Sequence, residues 1–130
     1  MVNLSSEDGV RQVFNFKQGR LIIREGEIAT AAYLIESGRV SVFVNTDSIE
    51  KQIEIAQLGP GEVFGEMGLI ENKKHRANVR ALEDTNLVVI THEMFEDRLK
   101  ASDPLLRKIL KLLVKRLNLA NDKIYAALMD

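Results

Sequence analysis

The stretch Tyr33-Leu34-Ile35-Glu36-Ser37-Gly38-Arg39-Val40-Ser41-Val42-Phe43-Val44-Asn45 decides the fold class. Tyr33 to Ile35 is a short apolar run closed by a Ser37-Gly38 turn. Beyond it, Val40, Val42 and Val44 alternate with Ser41, Phe43 and Asn45. A period of two over β-branched residues marks strands with one face in a core, and serine-glycine between two such runs is turn chemistry. The same texture recurs outward in both directions. Leu21-Ile22-Ile23 runs towards Gly26, and Ile53 and Ile55 alternate with Gln52 and Glu54 after the polar loop Asn45-Thr46-Asp47-Ser48. Ala77, Val79 and Ala81 alternate with Asn78, Arg80 and Leu82, and Leu87 to Ile90 is continuously apolar, as in a strand covered on both faces. Turn signals roughly every 8–12 residues imply an antiparallel sandwich or barrel of about eight strands.

Both ends of the chain change period. Ser5 and Ser6 are candidate helix caps, Glu7 and Asp8 suit a first turn, and Val10, Val13 and Phe14 recur at helical spacing. A short leading helix, weakened at Gly9, is the expectation. After the strands, Thr91 is an N-cap with Glu93 just inside, opening a helix to about Lys100. Asp103-Pro104 starts a second helix, with proline at the position where its missing N–H costs nothing. No glycine or proline follows, so one long helix over about 104–128 is expected. The chain reads as one domain over 1–130, with the strands in about 14–90.

Composition narrows the chemistry. The 130 residues are 45% hydrophobic and 28% charged, which suits a folded chain and not a disordered one. With no cysteine there is no disulfide framework, thiolate nucleophile or cysteine-ligated metal, and His75 and His92 alone make no histidine-rich centre. No apolar run approaches a membrane span and the N-terminus lacks signal-peptide features, so a cytoplasmic, soluble protein is expected. The net charge of −1 conceals a split. Residues 1–103 carry 12 basic and 17 acidic side chains, a net of −5, whereas residues 104–130 carry 6 and 2, a net of +4.

One segment departs from the strand pattern: Gly59-Pro60-Gly61-Glu62-Val63-Phe64-Gly65-Glu66-Met67-Gly68-Leu69-Ile70, a charged loop, then Arg76 leading the strand at Ala77. Gly65 lets a backbone approach a ligand closely. A helical turn beginning near Glu66 would aim free N–H groups at an anion. Arg76 can grip a phosphate through two parallel charge-assisted bonds, and Glu66 suits a sugar hydroxyl. An acid for ribose beside an arginine for phosphate describes a nucleotide. Spacing alone leaves a plainer alternative open, a surface salt bridge between Glu66 and Arg76 across a turn.

At these residues the chain resembles the cyclic-nucleotide-binding domain family, which includes the regulatory subunit of protein kinase A and the bacterial catabolite activator protein. The likeness covers about residues 14–120. It is carried by Phe16-x-x-Gly19, Gly26-Glu27, Tyr33-x-Ile35-x-x-Gly38-x-Val40, Gly61-x-x-Phe64-Gly65-Glu66, Arg76-Ala77 and Val79-x-Ala81. The resemblance implies a mainly β fold: an eight-stranded antiparallel jelly-roll barrel with a short N-terminal helix and two C-terminal helices. It also implies a 3′,5′-cyclic nucleotide as ligand. Glu66 would then accept from the ribose 2′-hydroxyl and Arg76 bind the phosphate. Phe64, Gly65, Met67 and Ala77 would line the site, while Gly26 and Gly38 serve turns. A serine or threonine after the arginine resembles guanine-favouring sites, and Ala77 resembles adenine-preferring ones, which tilts the reading to cAMP over cGMP. Asn78 departs from the small residue often found there. Tyr125, far along the last helix, stands where relatives often supply a residue over the base, with plain packing as its alternative.

Other residues read more simply. Tyr33 and the phenylalanines are expected in the core and turns, His75 in an exposed loop, and His92 on the first turn of a surface helix. Asn72-Lys73-Lys74-His75 adds positive charge near the site. On the last helix, Leu106, Ile109, Leu110, Leu113, Leu117, Ala120, Ile124, Ala127 and Leu128 fall within about 100° of arc. Leu105, Leu112 and Leu119 form a neighbouring stripe. Spacings of 3, 4, 3, 4 and 3 from Leu110 to Ala127 make a heptad seam that can meet a second helix. A parallel homodimer through it, which resembles the catabolite activator arrangement, is expected, with a monomer whose helix folds back fully as the alternative. Arg107, Lys108, Lys111 and Lys115 form a solvated basic face.

No nucleophile–base–orienter set, P-loop or metal cluster is present in the sequence, so a binding module with no catalysis and no metal is expected. Ligand binding would be passed through the C-terminal helices to an unidentified effector. The alternative is a jelly-roll scaffold or dimerisation domain that no longer binds nucleotide, against which stand Glu66 and Arg76 together. A third reading, nucleic-acid binding by the basic helix face, is opposed by the acidic main body.

Overall fold

A computed structural model describes residues 12–46, 51–69 and 73–129, apart from the side chains of 121, 125, 128 and 129. The strands are β1 (Gln12–Phe16), β2 (Leu21–Ile23), β3 (Ala31–Ser37), β4 (Val40–Asn45), β5 (Gln52–Leu58), β6 (Val63–Phe64), β7 (Asn78–Ala81) and β8 (Thr85–Thr91). A 3-10 turn spans Glu66–Leu69, and two helices follow β8: α1 (His92–Lys100) and α2 (Pro104–Met129).

The strands form two separate four-stranded antiparallel sheets, ordered β1-β8-β3-β6 and β2-β7-β4-β5. The expected closed barrel is therefore corrected: among the described residues the ladders stop at the sheet edges. The chain crosses between sheets through tight turns, Arg20 N–H to Lys17 C=O at 3.0 Å and Glu62 N–H to Gly59 C=O at 3.1 Å. These bonds close turns and do not extend a ladder. Ile23, Ile35, Val40, Phe64, Val79 and Leu87 form the buried core, contributed by both sheets. Fully burying such a side chain contributes roughly 1.5–3 kcal/mol. Tyr33 stacks on Phe64 with ring centroids 5.2 Å apart, and Phe43 lies under the Arg80 guanidinium at 4.9 Å.

The leading helix is the second correction. Val13 and Phe14 sit in β1, paired with Val88 and Leu87 of β8, and are 49% and 47% exposed. The free edge of β8 recruits them as a strand, and their helical spacing serves no helical face. Ser5 to Val10, the rest of that expectation, lie outside the described residues.

The C-terminal elements follow local chemistry closely. Thr91 Oγ1 accepts from Met94 N–H at 3.1 Å, capping α1 as its sequence implies. Asp103 Oδ1 accepts from Leu105 N–H at 2.8 Å and Leu106 N–H at 3.3 Å, capping α2 with Pro104 as its first residue. Among the side chains described on α2, Arg107, Leu110, Val114, Asn118 and Asp122 are the ones turned to the body, and of these only Asn118 is fully buried. Its main apolar stripe, with Leu106, Ile109, Leu113, Leu117 and Ile124, is exposed.

Candidate functional site

Between the sheets, at the end where the core opens, lies a cavity of about 290 Å³. Phe64, Gly65, Glu66, Met67, Arg76 and Ala77 all line it. β6 delivers Phe64, the 3-10 turn delivers Glu66 and Met67, and the approach to β7 delivers Arg76 and Ala77. Ile23, Val42 and Val79 supply an apolar floor that continues the core. The lining is also charged, with Lys73, Lys74 and Arg76 and, among the described lining residues, the single carboxylate of Glu66.

Two glycines let the 3-10 turn sit so close to the sheet. Gly65 has φ +74°, a left-handed backbone that side chains rarely adopt, and a Cβ there would stand 3.2 Å from Ala31 C=O. At Gly68 the obstacle is space: a Cβ would come within 2.5 Å of Ala29 Cβ. Gly68 N–H donates to Gly65 C=O at 3.1 Å, which closes the turn.

The loop carrying Arg76 is held from the other side. His75 N–H donates to Glu27 C=O and Gly26 N–H to His75 C=O, both at 2.8 Å, while Ile28 bridges Lys74. This pairing draws His75 out of the exposed position expected of it: it is half-buried on the cavity wall. Burial pushes its imidazole below the ordinary pKa of 6.5, and the carboxylate of Glu27 partly opposes the shift. Burial raises the Tyr33 phenol, with Glu27 adding to it.

His92 is likewise no bystander on a surface turn. Its Nδ1–H donates to Leu69 C=O at 2.6 Å, and its backbone N–H donates to Thr30 C=O at 3.0 Å. Leu69 closes the 3-10 turn and His92 opens α1, so one hydrogen bond joins the cavity wall to the C-terminal helices.

Arg76 is met by a group that the sequence did not single out. Its guanidinium forms an ion pair with Asp122 of α2, so the Glu66 bridge left open by spacing is not the contact that engages it here. Asn118, one helical turn earlier, is 4% exposed and lines the cavity. Val114, Asn118 and Asp122 follow at intervals of four and so share one side of α2, although the sequence does not say which side docks. The Tyr125 side chain, the residue expected over the base, lies outside the described ones. Asn78 turns away from the cavity lining and accepts from Glu25 N–H at 2.9 Å, with its Nδ2 buried. Among the described residues, no group of three or more His, Asp or Glu is gathered for a metal, and no helix is long and apolar enough to cross a membrane.

Comparison with known proteins agrees with this geometry. Residues 13–102 match the family model of the cyclic nucleotide-binding domain. The cyclic AMP receptor protein of Thermus thermophilus is 33% identical over 106 residues, covering 82% of this chain and 49% of that protein. The cAMP-dependent protein kinase type II regulatory subunit of Drosophila melanogaster is 40% identical over 67 residues, covering 52% of this chain and 17% of that one. The chain thus spans about half or less of the length of these relatives. The EAL enzyme Bd1971 in its half-site-occupied form has a TM-score of 0.75 at 36% identity, covering 86% of this chain and 99% of that one. The same enzyme was solved in cAMP-bound and cGMP-bound forms, with TM-scores of 0.70 and 0.72 to this chain. Those forms are 37% and 35% identical to it, covering 87% and 86% of this chain and 30% of each of theirs. A β sandwich whose conspicuous motif residues share one cavity, matched by the family model over most of that sandwich, leads to one assignment: the chain belongs to the cyclic nucleotide-binding domain family, a family of regulatory, ligand-binding domains.

Proposed function

We propose that the chain is a single cytoplasmic regulatory domain that binds a 3′,5′-cyclic nucleotide, cAMP in preference to cGMP, and performs no catalysis. The observation that carries this reading is the shared cavity of Phe64, Gly65, Glu66, Met67, Arg76 and Ala77, with a carboxylate and a guanidinium in its lining. Arg76 binds the cyclic phosphate through charge-assisted hydrogen bonds, and Lys73 and Lys74 favour its entry. Glu66 accepts from the ribose 2′-hydroxyl. Phe64 and the apolar floor offer surface to the rest of the ligand, while Gly65 and Met67 bring backbone near it. Ala77 presents no hydroxyl to a guanine, which supports the preference for adenine.

Binding is passed on through the His92–Leu69 hydrogen bond to α1, and through α2, to an effector. The exposed apolar stripe of α2, with its heptad spacing, supports a homodimer.

Thermal unfolding with cAMP and cGMP, on the wild type and on Arg76→Ala, tests the reading. Ligand at a hundred times its dissociation constant adds roughly 2.7 kcal/mol of stability to the wild type. The expected result is a larger shift with cAMP and almost none in Arg76→Ala. No shift with either nucleotide at millimolar concentration would overturn nucleotide binding. An equal shift in Arg76→Ala would overturn the phosphate site.

A further inference from the structure

The loop that brings Arg76 to the cavity carries a second group able to hold positive charge there. His75 lines the cavity beside Arg76 and is half-buried, whereas Lys73 and Lys74 of the same loop are exposed. Two backbone bonds of 2.8 Å, one with Gly26 and one with Glu27, clamp its main chain to the loop between β2 and β3 and keep it at the cavity wall. Charged groups reach this place from each element packed there. Lys73, Lys74 and Arg76 belong to its own loop, and Arg76 is engaged by Asp122 of α2. Glu27 stands on the facing loop, with Arg24 paired to it at 3.6 Å, and Glu66 of the 3-10 turn shares the lining. The phenol of Tyr33, which also faces Glu27, stays neutral, as does Asn118 of α2. In the protein alone, burial disfavours the charged imidazole and Glu27 opposes that effect.

We propose that His75 is a second cation of the nucleotide site, one that takes up its proton as the cyclic phosphate binds, so that mild acid strengthens binding. The proposal rests on nucleotide binding in this cavity. A cyclic phosphodiester keeps its one negative charge throughout the range in which histidine titrates. Brought into the lining, that charge favours the imidazolium and offsets part of what burial costs it. The coupling is reciprocal: phosphate tightens the hold on the proton, and the proton tightens the hold on the phosphate by the same factor. Arg76 is charged at every pH and supplies affinity throughout, whereas His75 adds to it only in acid. The gain is complete below the pH at which His75 titrates in the free protein. It is lost as the pH rises through the higher value in the complex. Protonating Glu66 would remove the ribose acceptor and weaken binding, so the sign of the effect separates the two groups.

Calorimetric titration of cAMP and cGMP into the full chain at pH 7.5, 6.5 and 5.5, for the wild type and His75→Gln, tests it. Each titration is run in two buffers of different ionisation enthalpy, which counts the protons taken up. Wild-type affinity is expected to rise about two- to fivefold from pH 7.5 to 5.5, with a fraction of a proton taken up per nucleotide. Both effects should be lost in His75→Gln, whatever its affinity at pH 7.5. Proton NMR of the wild type gives a readout that needs no variant: the His75 imidazole, assigned through the backbone, should titrate at higher pH with nucleotide bound. Three results overturn the proposal and leave nucleotide binding standing: affinity that is flat or falls in acid, proton uptake that survives in His75→Gln, or an imidazole titration that nucleotide leaves in place or lowers. A wild type that binds neither nucleotide at any of these pH values overturns the functional reading, and the proton coupling with it.

Discussion

At the scale of the residue, His75 shows how a single backbone pairing redefines a side chain. Its loop is stitched to Gly26 and Glu27, its ring is half-buried, and its pKa is held below that of a free histidine. A histidine that resists protonation when folded makes stability rise with pH, because the unfolded chain binds more protons. Stability should therefore be full above the unfolded value of about 6.5 and fall as the solution is acidified through it. Melting temperatures between pH 7.5 and 5.5 should drop less in His75→Gln than in the wild type, and equal drops would assign the loss to other groups. Phe64, Gly65, Glu66, Met67, Arg76 and Ala77 stood out in the sequence because the first four are contiguous and the arginine leads an alternating strand. Asn118 and Asp122 did not, because their place depends on how α2 is rotated about its axis. The burial of His75 depends on a loop-to-loop pairing across some fifty residues of chain, for which no local pattern exists.

At the scale of the element, the 3-10 turn is seated by a missing side chain. Gly68 lies against Ala29 with no room for a methyl group, so Gly68→Ala must push the turn away from the sheet. A loss of about 1–3 kcal/mol is expected from this overpacking, measurable as a lower urea midpoint at unchanged slope, together with weaker nucleotide binding. Unchanged stability would mean that the turn moves freely on Ala29. Elements with a strong local signal, β4 with its valines and α1 with its threonine cap, were legible at nearly their true boundaries. β6 is two residues long, Val63–Phe64, too short to show any period. β1 was misread because Val13 and Phe14 answer to a partner more than seventy residues away in sequence, whereas their own spacing pointed to a helix.

At the scale of the whole molecule, the stripe by which α2 docks and the stripe that would bind a second copy lie roughly 100° apart around the helix axis. Dimer formation need not undo the cavity wall. Light scattering on the wild type is expected to give twice the monomer mass, and Leu113→Lys with Leu117→Lys to give the monomer. A wild type that stays monomeric at all concentrations would leave the exposed stripe to another partner. That α2 is one long helix was legible from the absence of glycine and proline, but which of its faces docks was not. Its strongest apolar stripe, read as the seam for a second helix, is the exposed one.

The cavity also has a history within each chain. β6, the 3-10 turn and β7 supply its sheet side, and Asp122 arrives later on α2. A ribosome makes the sheet side first, so Arg76 meets solvent anions before it meets its own carboxylate. The wall that carries Asp122 is the last of these to be made, so the contact that engages Arg76 waits for α2.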